Sequence, residues 1–238
     1  MRDSRWLVPA DSLLAVDRVA DEVRQAVLAG RLEPGVTLAH RAIGEQYRIT
    51  SEIVQAVLSR LENEQLLVRR DHSFVVPPLR RDELDRLIQV WHAVAPDHSA
   101  RLCTGLPRSA IDKISGLLGA IYGGGAVSDD EKFRQAQRLQ AAWLGPDTRS
   151  WEPRTRLMVW QPMRRYIRIG MACSRGLKEP RRSASGALTL FDAFSRRSPS
   201  AVRAAMSVYI DQLETVSELA LAKFDDGTRP QRRLRIVV

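Results

Sequence analysis

The sequence predicts a mainly α-helical chain in two parts, an N-terminal winged helix–turn–helix followed by an all-helical bundle. Three observations predict it. The segment Ala29-Gly30-Arg31-Leu32-Glu33-Pro34-Gly35 ends a helix at a glycine and turns tightly. Two short amphipathic segments and a strand pair follow it within about forty residues, the layout of a module that lays one helix in a DNA major groove. From Asp82 onward the pattern is helical, broken only by Gly, Pro or Ser.

The elements follow in order. Residues 11–29 form the first helix, with Asp11 or Ser12 able to cap it and Val16, Val19, Ala20, Val23 and Val27 at helical spacing. A short helix over 41–47 comes next. Thr50 or Ser51 caps a third helix that runs to Asn63, with Val54, Val57, Leu58 and Leu61 on its apolar stripe. Ser51, Glu52, Gln55 and Ser59 face away from that stripe. Residues 66–70 and 73–76 pair as a hairpin across Asp71-His72, and Pro77-Pro78 closes the first domain because neither residue can donate to a sheet. Helices are then predicted near 82–103, 109–122, 128–143, 157–175, 185–196 and 199–224. Gly123-Gly124-Gly125 is a stop, Ser128-Asp129-Asp130-Glu131 is a capping box, and Ser198-Pro199 starts the last helix. The boundaries are therefore 1–78 for the first domain, 79–226 for the helical domain, and 227–238 for a basic tail.

Length and composition fit two globular domains, with 238 residues of which 44% are hydrophobic and 27% charged. No apolar run reaches the roughly 18 residues a membrane span requires, and Met1 to Pro9 lack the apolar core of a signal peptide. The expectation is a cytoplasmic protein with no membrane contact. Cys103 and Cys173 have no metal or redox spacing and read as reduced thiols. Net charge is +9, yet residues 1–78 hold 10 Arg against 11 acidic residues. A domain that grips phosphates is normally basic, so this balance weighs against strong DNA binding.

These residues resemble the GntR family of bacterial regulators, in its FadR-like branch with an all-helical, FCD-type effector domain, to about residue 224. Gly30-Arg31-Leu32-Glu33-Pro34-Gly35 looks like the family's Gly-x-Leu-x-Pro-Gly turn. Residues 41–47 sit where its second helix sits, and 49–62 fall on its recognition helix. The resemblance implies a homodimer that binds double-stranded operator DNA, with Arg41, Thr50, Ser51, Glu52, Gln55, Arg69, Arg70 and His72 at the interface. The family usually has Arg at the positions of Ser51 and Gln55. Here both are uncharged and Glu52 adds an acid that phosphate repels. Gln55 can still read adenine, and Ser51 can bond a base or a phosphate.

The family also commonly binds a divalent metal through one acid and three His. Asp130 and Phe133 keep part of that pattern, but Arg134, Ala187 and Tyr209 stand where the His would be. Arg stays protonated and cannot serve, so no metal and no other cofactor is expected. Asp130 and Arg134 are an i, i+4 pair. With Tyr209 and Trp91 they form either a pocket for a small anionic effector or a filled interior with an internal ion pair. From Arg154 to Arg182 nine basic residues face one acid, Glu179, a run read as a solvated helix face rather than a nucleic-acid surface. No catalytic constellation stands at a usable spacing, so no enzyme is expected. Two functions remain: a dimeric regulator that senses a small anion, or a protein of the same fold that has lost operator recognition and works as a ligand- or protein-binding module.

Overall fold

The computed structural model describes residues 10–71, 73–123, 127–145, 150–174 and 180–224. His72 and the tail 227–238 lie outside the described residues. The chain forms two compact units, one before Leu79 and one from Leu79 to Asp225.

The first unit holds α1 (Ala10–Leu28), β1 (Thr37–Leu38), α2 (His40–Tyr47), α3 (Ser51–Asn63), β2 (Val68–Arg70) and β3 (Ser73–Val75). Asp11 and Ser12 fall within α1 rather than ahead of it. The helix ends because Gly30 takes a left-handed φ of 70°, which lets Arg31 N–H return to the Ala26 carbonyl. Val54, Val57, Leu58 and Leu61 of α3 are buried, as their spacing predicts. Arg24 of α1 meets Glu64 beyond α3 with two parallel bonds of 2.7 Å, a fork that fixes the crossing of the two helices.

The sheet has a strand that the sequence pattern does not reveal. β1 pairs antiparallel with β3 through Thr37↔Val75 and Leu38↔Phe74, giving the order β1-β3-β2. Two residues are too few to show alternation. The pairing is set by tertiary contacts, with Gly35 N–H bonded to the Val76 carbonyl and Val76 N–H to that of Val36. The strands are also shorter than predicted, since Leu66, Leu67 and Val76 pack into the core outside the ladder.

The second unit contains, among the described residues, α4 (Arg81–Leu102), α5 (Arg108–Tyr122), α6 (Asp129–Leu144), α7 (Trp151–Cys173), α8 (Pro180–Ser195) and α9 (Pro199–Phe224). α9 packs against α4, α7 and α8 and forms the centre of the bundle. Ser128 caps α6 by accepting from Glu131 N–H, as the capping box predicts. Two helices start earlier than expected. α7 begins at Trp151, not 157, because Pro153 lies in its first turn, where its missing N–H costs nothing. α8 begins at Pro180, not 185.

The arginine-rich run is the largest departure. Four of its members, Arg156, Arg164, Arg165 and Arg168, are no more than 9% exposed. α7 is buried all round from Pro162 to Gly170, so Arg164, Arg165 and Arg168 lie inside with their neighbours and are not a solvated face. Arg156 shares the apolar stripe of Val159, Trp160, Met163 and Ile167 at i+3, i+4, i+7 and i+11.

Candidate functional site

In the first unit, α3 presents Ser51, Glu52, Gln55 and Ala56 to solvent, with Ser59 half-exposed beside them. This face exists because the apolar stripe turns the opposite side inward. Gln55 Nε2 donates to Ser59 Oγ at 3.0 Å, which leaves its amide oxygen outward. Thr50 holds the N-cap backbone position, yet its hydroxyl caps no N–H. The neighbouring Thr50 hydroxyl, and then the Glu52 backbone N–H, hold the Glu52 carboxyl below the usual range. The acid on the exposed face is therefore fully ionised at neutral pH.

That face carries no Arg or Lys before Arg60, and the other cations of the unit lie on neighbouring elements. Arg41 on α2 pairs with Glu45 one turn away at 2.7 Å in full solvent. Such a pair is weak and exchanges readily for a phosphate. Arg69 lies over the Phe74 ring at 4.6 Å and meets Glu62 at 3.2 Å, so the sheet already holds it. Arg70 is exposed at the end of β2 without a salt bridge among the described residues. Sequence reasoning missed Arg48, an exposed cation in the turn between α2 and α3 at φ 53°. The signal was a tight turn without glycine, which forces another residue into the left-handed region.

In the second unit, the four residues expected to form a pocket are distributed differently. Trp91 is buried and meets Trp160 edge-on, with centroids 6.0 Å apart. Tyr209 is buried against Trp143 at 4.9 Å, and its hydroxyl accepts from Gln140 Nε2 at 2.6 Å. The expected Asp130–Arg134 pair does not form. Arg134 stays at the surface and bonds Glu131, three residues back on the same helix. Asp130 is reached from α7 by Arg168, whose guanidinium also lies 5.7 Å from the Phe133 ring centre. Arg168 wins because it is buried, where an acid partner offsets the loss of water.

Arg156 is one of the arginines that carry positive charge into the bundle. Its Nη1 donates to His98 Nδ1 at 2.9 Å, to Trp143 O at 3.1 Å and to Ser99 Oγ at 3.3 Å. None of these partners is a carboxylate. Desolvation pushes its pKa down to about 10, which still leaves it charged at pH 7. Its Nε and the indole N–H groups of Trp91 and Trp143 are buried with no hydrogen-bond partner among the described residues. These are three donors without an acceptor.

The family-type metal does not fit these residues. Arg134 is a surface cation, Ala187 has no donor atom, and burial keeps the Tyr209 hydroxyl protonated by raising its pKa. Among the described residues no cluster of three His, Cys, Asp or Glu could hold an ion.

The Arg156 cluster also makes the second unit sensitive to acid. Burial first, and then the Arg156 charge, push His98 down to about 4. An unfolded His takes up its proton near pH 6.5, while the folded ring stays neutral to about 4. The associated stability is complete above pH 6.5 and is lost as pH falls toward 4, by up to about 3 kcal/mol. Melting temperature should therefore fall between pH 7 and 4.5, and fall less in His98→Gln. Equal slopes in the two proteins would locate the acid sensitivity elsewhere.

The first unit is a winged helix–turn–helix, and the second is, among the described residues, a bundle of helices. Residues 15–75 match the family model for bacterial regulatory proteins of the gntR family, so the first unit carries a gntR-family helix–turn–helix domain. No curated protein matches the sequence. Among solved structures the chain is similar to E. coli McbR/YncC, with a TM-score of 0.68 at 17% identity, over 88% of this chain and 98% of that one. It is also similar to a GntR transcriptional regulator from Rhodococcus sp. RHA1, with a TM-score of 0.64 at 14% identity, over 90% and 99% of the two chains. At these identities the likeness is one of fold, and that fold is the one used by GntR-family transcriptional regulators. No described helix is long and apolar enough to cross a membrane.

Proposed function

We propose that this chain is a cytoplasmic, homodimeric transcriptional regulator of the FadR-like type. In this reading residues 1–78 bind operator DNA, residues 79–226 dimerise and sense a small anion, and 227–238 form a basic tail. The observation that carries the DNA reading is the exposed polar face of α3 within a gntR-family helix–turn–helix. Arg41, Arg48 and Arg70 flank that face and supply phosphate contacts, while Ser51 and Gln55 reach base edges. One helix covers only a few base pairs, which is why such modules work as two-fold dimers on palindromes.

Binding of the full chain to duplex DNA from its own upstream region, followed against salt, tests this. Arg41→Ala should weaken binding to all sequences alike and flatten the salt slope by about one. Gln55→Ala should lose about 1–3 kcal/mol of discrimination at one or two base pairs. If neither substitution changes binding, α3 does not lie in the groove. The second reading, a protein of this fold that acts through ligand or protein contacts alone, then gains. It is favoured by the absence of Arg and Lys from the exposed side of α3 before Arg60.

The effector reading rests on Arg156, not on Arg134. A buried guanidinium held only by neutral partners suits a carboxylate or phosphate. Arg156→Met keeps the volume and removes the charge, a change that buried ionic sites often tolerate. Small carboxylates and inorganic phosphate should raise the melting temperature of the wild type and leave that of Arg156→Met unmoved. An equal rise in both proteins would remove Arg156 from the reading.

A further inference from the structure

The carboxylates of the first unit are mostly spoken for. Asp17 pairs with Arg60, Asp21 and Glu64 with Arg24, Glu45 with Arg41, and Glu62 with Arg69. Glu52 is different. It is exposed, it has no ion-pair partner among the described residues, and it stands in the first turn of α3 on the one face free to enter a groove. Gln55 and Ala56 lie one turn further along that same face, and Ser59 two turns.

The groups on this face define what they can read. An ionised carboxylate only accepts hydrogen bonds. In the major groove guanine shows two acceptors and thymine one acceptor with a methyl group, whereas cytosine shows an amino donor. Adenine shows a donor beside an acceptor, an edge that suits the Gln55 amide better than a carboxylate. A carboxylate beside the guanine edge would meet oxygen and nitrogen lone pairs without water between them, so the acid rejects as well as selects. Ala56 adds a methyl group suited to contact with thymine.

We propose that Glu52 is a specificity-determining residue that selects a cytosine in each operator half-site through its N4 amino group. This rests on the reading of α3 as the DNA-reading helix. Specificity then comes from acceptors on the protein meeting amino donors on the DNA, while the grip on phosphate is left to Arg41, Arg48 and Arg70. A role confined to stabilising the helix dipole would change thermal stability and leave base preference untouched.

The test uses the full-length chain in selection from a random duplex library, followed by anisotropy titrations on the selected site. The wild type should return a cytosine at one fixed position of each half-site. Replacing that C·G pair by G·C or T·A should weaken binding about tenfold or more. Glu52→Ala should flatten that single position and leave the rest of the site intact, and Glu52→Gln should shift it toward adenine. If Glu52→Ala leaves the selected site unchanged while Gln55→Ala alters it, the proposal falls and the DNA reading stands. If the wild type selects no sequence at all, the DNA reading fails and takes this proposal with it.

Discussion

Replacing Trp143 by alanine is expected to destabilise the helical unit by about 3–5 kcal/mol, the range for removing a large buried aromatic side chain. Trp143 is fully buried and stands edge-on to Tyr209 with centroids 4.9 Å apart. Its own backbone carbonyl accepts from Arg156 and is kept by alanine, so the loss is that of the side chain's packing. A cavity beside Tyr209 would let water reach the Arg156 cluster, which recovers part of the desolvation cost but not the packing. Urea unfolding followed by far-UV circular dichroism measures the change. A loss under 1 kcal/mol would mean that the interior around Tyr209 is loosely filled.

Substituting Gly170 by alanine is the second large effect, and its sign runs against helix propensity. In an exposed helix interior this exchange stabilises by about 1 kcal/mol. At Gly170, however, an added Cβ would sit 1.8 Å from the Val216 carbonyl oxygen of α9. That oxygen belongs to backbone and cannot swing aside. The two helices must separate, at a cost of about 3 kcal/mol or more. Gly116→Ala and Gly119→Ala on α5 are the matched controls, because a Cβ at either place meets nothing within 4 Å. Both controls should gain up to about 1 kcal/mol. If Gly170→Ala behaves like these two, α7 and α9 are not in backbone contact.

The legible parts of this protein share a physical origin. The stripe of α3, the Gly30 stop and the Ser128 cap of α6 are local in sequence, and each satisfies its own hydrogen bonds or buries its own face. Tyr209 on the apolar face of α9 belongs with them, since its helical spacing alone directs it inward. The α3 face proposed to meet DNA was readable for the same reason. The Asp130–Arg134 pair was also a local inference, and it failed because a rival from another helix reached the acid first.

The sequence by itself determined that there are two units, that the second is helical, and which faces of α1, α3 and α9 turn inward. Those features follow from periodicity and from turn chemistry, which act over a few residues. Only the tertiary structure decided that Thr37 and Leu38 form a strand, because a two-residue strand exists only through its partner. It also decided which arginines are interior. In composition Arg156 and Arg168 look like any other members of a basic run. A guanidinium is buried only where neighbouring helices bring acceptors to it, and those acceptors come from α4 and α6, far away in the chain.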